Sequence, residues 1–123
     1  MHPQIRKVSP YDTPQILDLL REYRSNMPYG FLQDADDAEY ITAMLSEIMA
    51  GKGVLLVAED NQKIVGMIMA ILMPSIWSPK HFFLTELAYY VKQEYRMGTA
   101  GYRLLSRYLD EAIQMKDDGR ITH

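Results

Sequence analysis

Between residues 53 and 91 the chain carries three β-rich runs, 53–58, 64–73 and 82–91, with only short breaks between them. Strands joined by so few residues have no length for a crossover, so they must be largely antiparallel. Glu59-Asp60-Asn61-Gln62 reads as the turn of a hairpin between the first two runs. The second break, 74–80, holds two prolines and the only tryptophan, Trp77, and reads as a loop.

Helical periodicity flanks this block on both sides. Residues 5–8 form a short first strand, and Asp12-Thr13-Pro14 reads as a helix start, with a capping Asp or Thr and Pro in the first turn. Ile16, Leu19, Leu20 and Tyr23 then share one face, and residues 26–30, with Pro28 and Gly30, break the helix. A second helix begins at Ala38 with Ile41, Met44, Leu45 and Ile48 on one face, and Gly51 and Gly53 end it. After the strands a third helix runs from about 101 to 115, its inner face read as Leu105, Tyr108, Leu109, Ala112 and Ile113. Ile121-Thr122 opens a further strand. The order is β-α-α-β-β-β-α-β, and the last strand–helix–strand step implies a right-handed parallel crossover. The expected class is α/β: a mixed, mostly antiparallel sheet flanked by helices.

Composition bounds the function. The 123 residues fit one domain, 1–123. A net charge of −3 argues against a nucleic-acid partner, because phosphate-backbone affinity needs clustered Lys and Arg. With no cysteine, disulfide scaffolds, thiol nucleophiles and zinc-finger sites fall away, and a reducing, cytoplasmic setting is expected. The longest apolar run, 67–73, is too short to span a bilayer, so no membrane partner is expected. The nine methionines, Met67, Met69 and Met73 among them, read mainly as core filler.

The chemistry-bearing stretch runs from Leu87 to Leu105. A strand enters a short loop holding Arg96, Gly98, Thr99, Ala100 and Gly101, and the loop opens directly into a helix. Small residues leave amides exposed, and the helix N-terminus adds partial positive charge, which together suit a phosphate or pyrophosphate. Arg96 can add a charge-assisted contact. An ordinary strand-to-helix turn, with glycines serving only the backbone, explains the same residues as well. Neither the G-x-x-x-x-G-K-[ST] spacing nor G-x-G-x-x-G is present.

Val91-x-x-Glu94-Tyr95-Arg96-x-x-x-Ala100-Gly101-x-x-Leu104-Leu105 resembles the acetyl-CoA-binding signature of the GNAT N-acetyltransferases, V-x-P-x-[YFH]-R-x-x-G-x-G/A-x-x-L-L. The element order is also that family's. Gln93 stands in place of Pro, Thr99 in place of the first motif glycine, and Tyr102 where a small residue is common. Residues 96–105 are similar to a subgroup with an R-x-x-x-A-G-x-R-L-L loop. The family's chain usually continues through another helix and a final hairpin. The expectation is therefore a GNAT (acyl-CoA N-acyltransferase) fold lacking those elements, with an exposed C-terminal sheet edge that would invite a second copy to form a homodimer.

The resemblance implies acetyl-CoA as co-substrate, no metal, and direct attack by a small-molecule or protein amine. Main-chain groups near Tyr90 and Val91 would pair with the pantetheine arm. Amides from Met97, Gly98, Thr99, Ala100, Gly101 and Tyr102 would hold the pyrophosphate together with Arg96. A backbone N–H near Tyr89 or Tyr90 would stabilise the oxyanion. Glu86 is the candidate general base, expected to be partly buried with a raised pKa; an ion pair or a solvated edge is the competing account. His81 reads as a surface histidine, and neither Tyr95 nor Tyr102 stands out as the acid that protonates the leaving thiolate. The loop between the first two helices would shape the acceptor pocket, with Tyr29 and Phe31 as aromatic walls. Asp34, Asp36, Asp37 and Glu39 make that loop acidic and suit a cationic amine, unless Asp36 or Asp37 merely caps the next helix. The competing function is a non-catalytic GNAT-like module that binds CoA or a protein partner.

Overall fold

The structure, a computed structural model, describes residues 2–28 and 36–121. Its elements are β1 (Gln4–Lys7), α1 (Thr13–Ser25), α2 (Ala38–Glu47), β2 (Gly53–Asp60), β3 (Lys63–Pro74), β4 (Phe82–Val91) and α3 (Ala100–Asp117). The four strands form one sheet in the order β1-β2-β3-β4, and every pairing is antiparallel. The expected parallel crossover would fall on 121–123; Ile121 carries no strand, and Thr122 and His123 lie outside the described residues.

β2 and β3 are buried on both faces, which explains their continuous apolar runs in place of alternation. One face, including Leu55, Val57, Met67 and Met69, packs under Ile16 and Leu19 of α1 and Leu45 of α2. The other, including Leu56, Ala58, Val65 and Ile68, packs under Ala100, Leu104 and Met115 of α3. Met67 and Met69 fill the core as expected, whereas Met73 is about half exposed. The β2–β3 turn places Asn61 and Gln62 at φ 51° and 68°, as a two-residue hairpin that follows the strand twist requires.

Three local expectations change. Asp12 starts α1 but does not cap it: its carboxylate accepts instead from the Ser9 amide at 2.8 Å and from Arg6 at 2.8 and 2.9 Å. The end of α2 loosens into a wider π-type turn over Ile48–Lys52, where Gly51 takes φ 105°. The inner face of α3 is Ala100, Leu104, Tyr108 and Met115, while Leu105, Leu109 and Ile113 face solvent. The helix is apolar on two adjacent stripes, and docking of its first turn selects between them.

Candidate functional site

β4 is the outer strand of the sheet. The Lys92 amide donates to the Val65 carbonyl at 2.8 Å, and Tyr90 pairs with Met67. In an antiparallel ladder this alternation turns the Tyr90 backbone into β3 and leaves the Tyr89 and Val91 backbone groups on the open edge. The Tyr89 groups and the Val91 N–H are thus free of the ladder, whereas the Val91 carbonyl accepts from Arg96 and the Tyr90 backbone is committed to the sheet. The ladder then slips: Met69 pairs with Ala88 but Ala70 with Glu86, so Leu87 is a bulge. Bulges re-aim side chains and recur beside active sites. Nothing in the sequence marks this one.

A 3-10 turn, Gln93–Tyr95, leads from β4 to the loop 96–99 and into α3. Arg103 donates its amide to the Thr99 carbonyl at 2.9 Å, the first helical bond. Among the described residues, the amides of Met97, Thr99, Ala100, Gly101 and Tyr102 have no backbone acceptor and the Thr99 side chain makes no cap, whereas the Gly98 amide, expected among the phosphate donors, is taken by the Tyr95 carbonyl at 3.3 Å. Five open donors thus gather where the helix dipole is positive. The open amides fit a pyrophosphate. One turn on, the Arg103 Nη1 is buried with no acceptor among the described residues. Tyr89 donates its hydroxyl to the Gly101 carbonyl, tying the first turn of α3 to β4, and burial pushes its pKa up. Arg96 reaches back: its Nε donates to the Val91 carbonyl at 2.8 Å and its guanidinium lies 5.2 Å from the Tyr90 ring centroid.

Tyr90 is the hub beneath the edge. Its hydroxyl donates to Glu22 at 2.8 Å and accepts from Asn26 at 3.1 Å, and its ring meets Tyr23 edge-on at 5.9 Å. Burial first, and then the Glu22 carboxylate, push the Tyr90 pKa up, although Arg96 pulls the other way. Tyr95 donates to Asp60 at 2.6 Å, which raises its pKa and holds it against the β2–β3 hairpin. Tyr102 stands exposed in the first turn of α3.

Glu86 is exposed, not half-buried as the sequence suggested. Alternation from Leu84 sets it on the α3 face, where its charge, after burial, raises the pKa of Tyr108.

On the opposite face, α1, α2 and the bulge enclose a cavity of about 360 Å³ lined by Leu20, Tyr23, Arg24, Met44, Met69 and Leu87 among others. A larger cavity, about 470 Å³, lies near Lys7, Val54 and Met115 toward the C-terminal end of α3. The 18 residues of α3 separate its ends by roughly 27 Å, so that cavity is remote from the open amides.

Tyr29, Phe31 and Asp34, read as parts of the acceptor loop, lie outside the described residues. Asp36 is held by Arg21 at 3.0 Å and Arg24 at 3.1 Å, and Asp37 caps α2 by accepting from the Tyr40 amide at 3.1 Å. The acidic appearance of the loop therefore overstates its free negative charge. Sequence reasoning missed Glu22, Arg24, Asn26 and Tyr108. Glu22 and Arg24 lie on α1 and Asn26 caps its end, and no local pattern announces that they meet a strand more than sixty residues away.

The acetyltransferase (GNAT) family model matches residues 14–122. No curated protein matches the chain. Solved structures share its fold. A ribosomal-protein-alanine N-acetyltransferase from Brucella melitensis superposes with a TM-score of 0.72 at 23% identity, covering 92% of this chain and 68% of that one. PaiA N-acetyltransferase from Thermoplasma acidophilum, in complex with coenzyme A, gives 0.68 at 20% identity over 97% of this chain and 75% of its own. An aminoglycoside acetyltransferase from an uncultured soil metagenomic sample gives 0.69 at 15%, over 94% and 72%. With the family model spanning both helical layers, strands β2 to β4 and the open amides at the start of α3, the chain belongs to the GNAT acetyltransferase family.

Proposed function

We propose that this chain transfers an acetyl group from acetyl-CoA to a primary amine by direct attack. The observation that carries the reading is the cluster of open amides at Met97 and from Thr99 to Tyr102 beside the free edge of β4. The amides would hold the pyrophosphate, and the outward N–H of Val91 would pair with the pantetheine arm. The outward N–H of Tyr89 would receive the carbonyl oxygen as it gains charge. The amine nitrogen attacks the thioester carbon, the C–N bond forms, and the C–S bond breaks with its electron pair going to sulfur. The nitrogen gives up a proton and the thiolate takes one. Glu86, exposed one residue before the bulge and on the α3 face of the edge strand, accepts the amine proton through a water that rounds the open edge of β4. Holding both reactants at one strand edge supplies the rest of the rate.

Calorimetric titration with acetyl-CoA, with ATP as control, tests the reading. Micromolar binding of acetyl-CoA alone is expected, and Gly101→Glu should abolish it by setting a carboxylate among the phosphate donors. Equal binding of ATP, or an unaffected Gly101→Glu variant, would sink it. Glu86→Gln should lower kcat about 100-fold with acetyl-CoA affinity unchanged. An unchanged kcat would remove Glu86 from the mechanism.

A further inference from the structure

We propose that the cavity between α1, α2 and the Leu87 bulge takes a small primary amine on an apolar body with an oxygen acceptor beside it. The ligand class is an apolar α-amino acid unit, free or at the start of a peptide. The inference rests on the acetyl-transfer reading and names its acceptor.

Position comes first. Leu87 and Ala88 line the cavity, and the next residue, Tyr89, presents the outward amide assigned to the thioester oxygen. An amine at the mouth of the cavity is therefore one residue from the reacting carbon.

The lining then restricts the ligand. Leu20, Tyr23, Met44 and Met69 give apolar walls, and among the described residues no carboxylate lines the cavity. A polycation entering it would lose water and find no counter-charge. Asp36, bonded to the lining residue Arg24, is already shared with Arg21. At about 360 Å³ the cavity lies at the small end of the roughly 300–1,000 Å³ typical of ligand pockets, which disfavours a large polyhydroxylated amine.

Arg24 supplies the polar requirement. Its side chain is 13% exposed, its Nη2 donates to Asp36, and its buried Nε has no acceptor among the described residues. A buried guanidinium donor without an acceptor is costly, and a ligand carboxylate or carbonyl oxygen would satisfy it. An α-amino acid unit places such an oxygen two bonds beyond the carbon that bears the amine, so one ligand can serve both ends.

The test is calorimetric titration of the chain with leucine, leucinamide, 3-methylbutylamine and spermidine, with acetyl-CoA titrated into the same protein. Leucine or leucinamide should bind about tenfold more tightly than 3-methylbutylamine, the size of one charge-assisted hydrogen bond, with spermidine weakest. A preference for leucine assigns a carboxylate to Arg24, and a preference for leucinamide assigns a peptide-like carbonyl. Arg24→Gln should erase the tenfold advantage and leave 3-methylbutylamine binding unchanged. Tighter binding of spermidine, equal binding of leucine, leucinamide and 3-methylbutylamine, or no amine binding at all would overturn the proposal. Amine binding of the expected rank without acetyl-CoA binding would keep this ligand class and overturn the acetyl-transfer reading. Acetyl-CoA binding with a spermidine preference would do the reverse.

Discussion

Asp12 shows how one buried charge organises the N-terminal crossover. It is 6% exposed, and Arg6, which grips it with two nitrogens, also donates to Glu59 at 3.1 Å. β1, the turn into α1 and β2 are thereby joined. The Arg6 guanidinium holds the Asp12 carboxyl below the usual carboxylate range, and the pair in turn raises the Arg6 pKa. A depressed carboxylate stabilises the fold above its unfolded pKa and loses that contribution as pH falls through the folded value. Stability should therefore fall as pH drops below about 4. Asp12→Asn should cost about 2 kcal/mol at neutral pH, less than a fully buried pair because Arg6 keeps Glu59. It should also flatten the acid limb. Urea unfolding at neutral and acid pH measures both, and an acid limb as steep in the variant would refute the assignment. Asp12-Thr13-Pro14 marks a helix start correctly, but the partner at Glu59 is 53 residues from Arg6, beyond any local pattern.

At the scale of elements, α3 is the decisive case. Leu104-Leu105, Tyr108-Leu109 and Ala112-Ile113 put apolar residues on adjacent stripes, so periodicity alone allows either inner face. Ala100 under the helix and Tyr89 bonded to Gly101 set the phase, burying Leu104 and exposing Leu105. Leu104→Ala should cost about 3 kcal/mol, whereas Leu105→Ala should cost less than about 1 kcal/mol. Chemical denaturation of the two variants decides which stripe is inside; equal costs would contradict the packing described. The strand boundaries were far more legible. β4 occupies the span read from sequence, because β-branched and aromatic residues between a proline loop and Lys92 leave little choice. The bulge at Leu87 was not legible, since it depends on how β3 and β4 settle against two different helix layers.

For the whole molecule, the sheet couples its two faces. An added Cβ at Gly66 would lie 3.2 Å from Leu104, the Tyr90 carbonyl and Val91, at the junction of β3, β4 and α3. At Gly53, where β2 begins, it would collide with the Ala70 carbonyl, away from the open amides. Both Gly66→Ala and Gly53→Ala should destabilise the fold by about 2 kcal/mol or more. Only Gly66→Ala should also weaken acetyl-CoA binding, because it pushes α3 and the loop it carries. Thermal unfolding with calorimetry on each variant separates the effects, and equal loss of affinity in both would show that the coupling is global. The sequence by itself determined the order of elements from β1 to α3, the antiparallel pairing of the three central strands and the loop of small residues at the start of α3. These follow from local periodicity, short connections and backbone sterics. Only the tertiary structure decided which stripe of α3 is buried, that Glu86 stands in water, that Asp36 is neutralised and that Arg24 faces an apolar cavity. Each of these depends on contacts between distant segments, where burial and pairing, not local propensity, set the free energy.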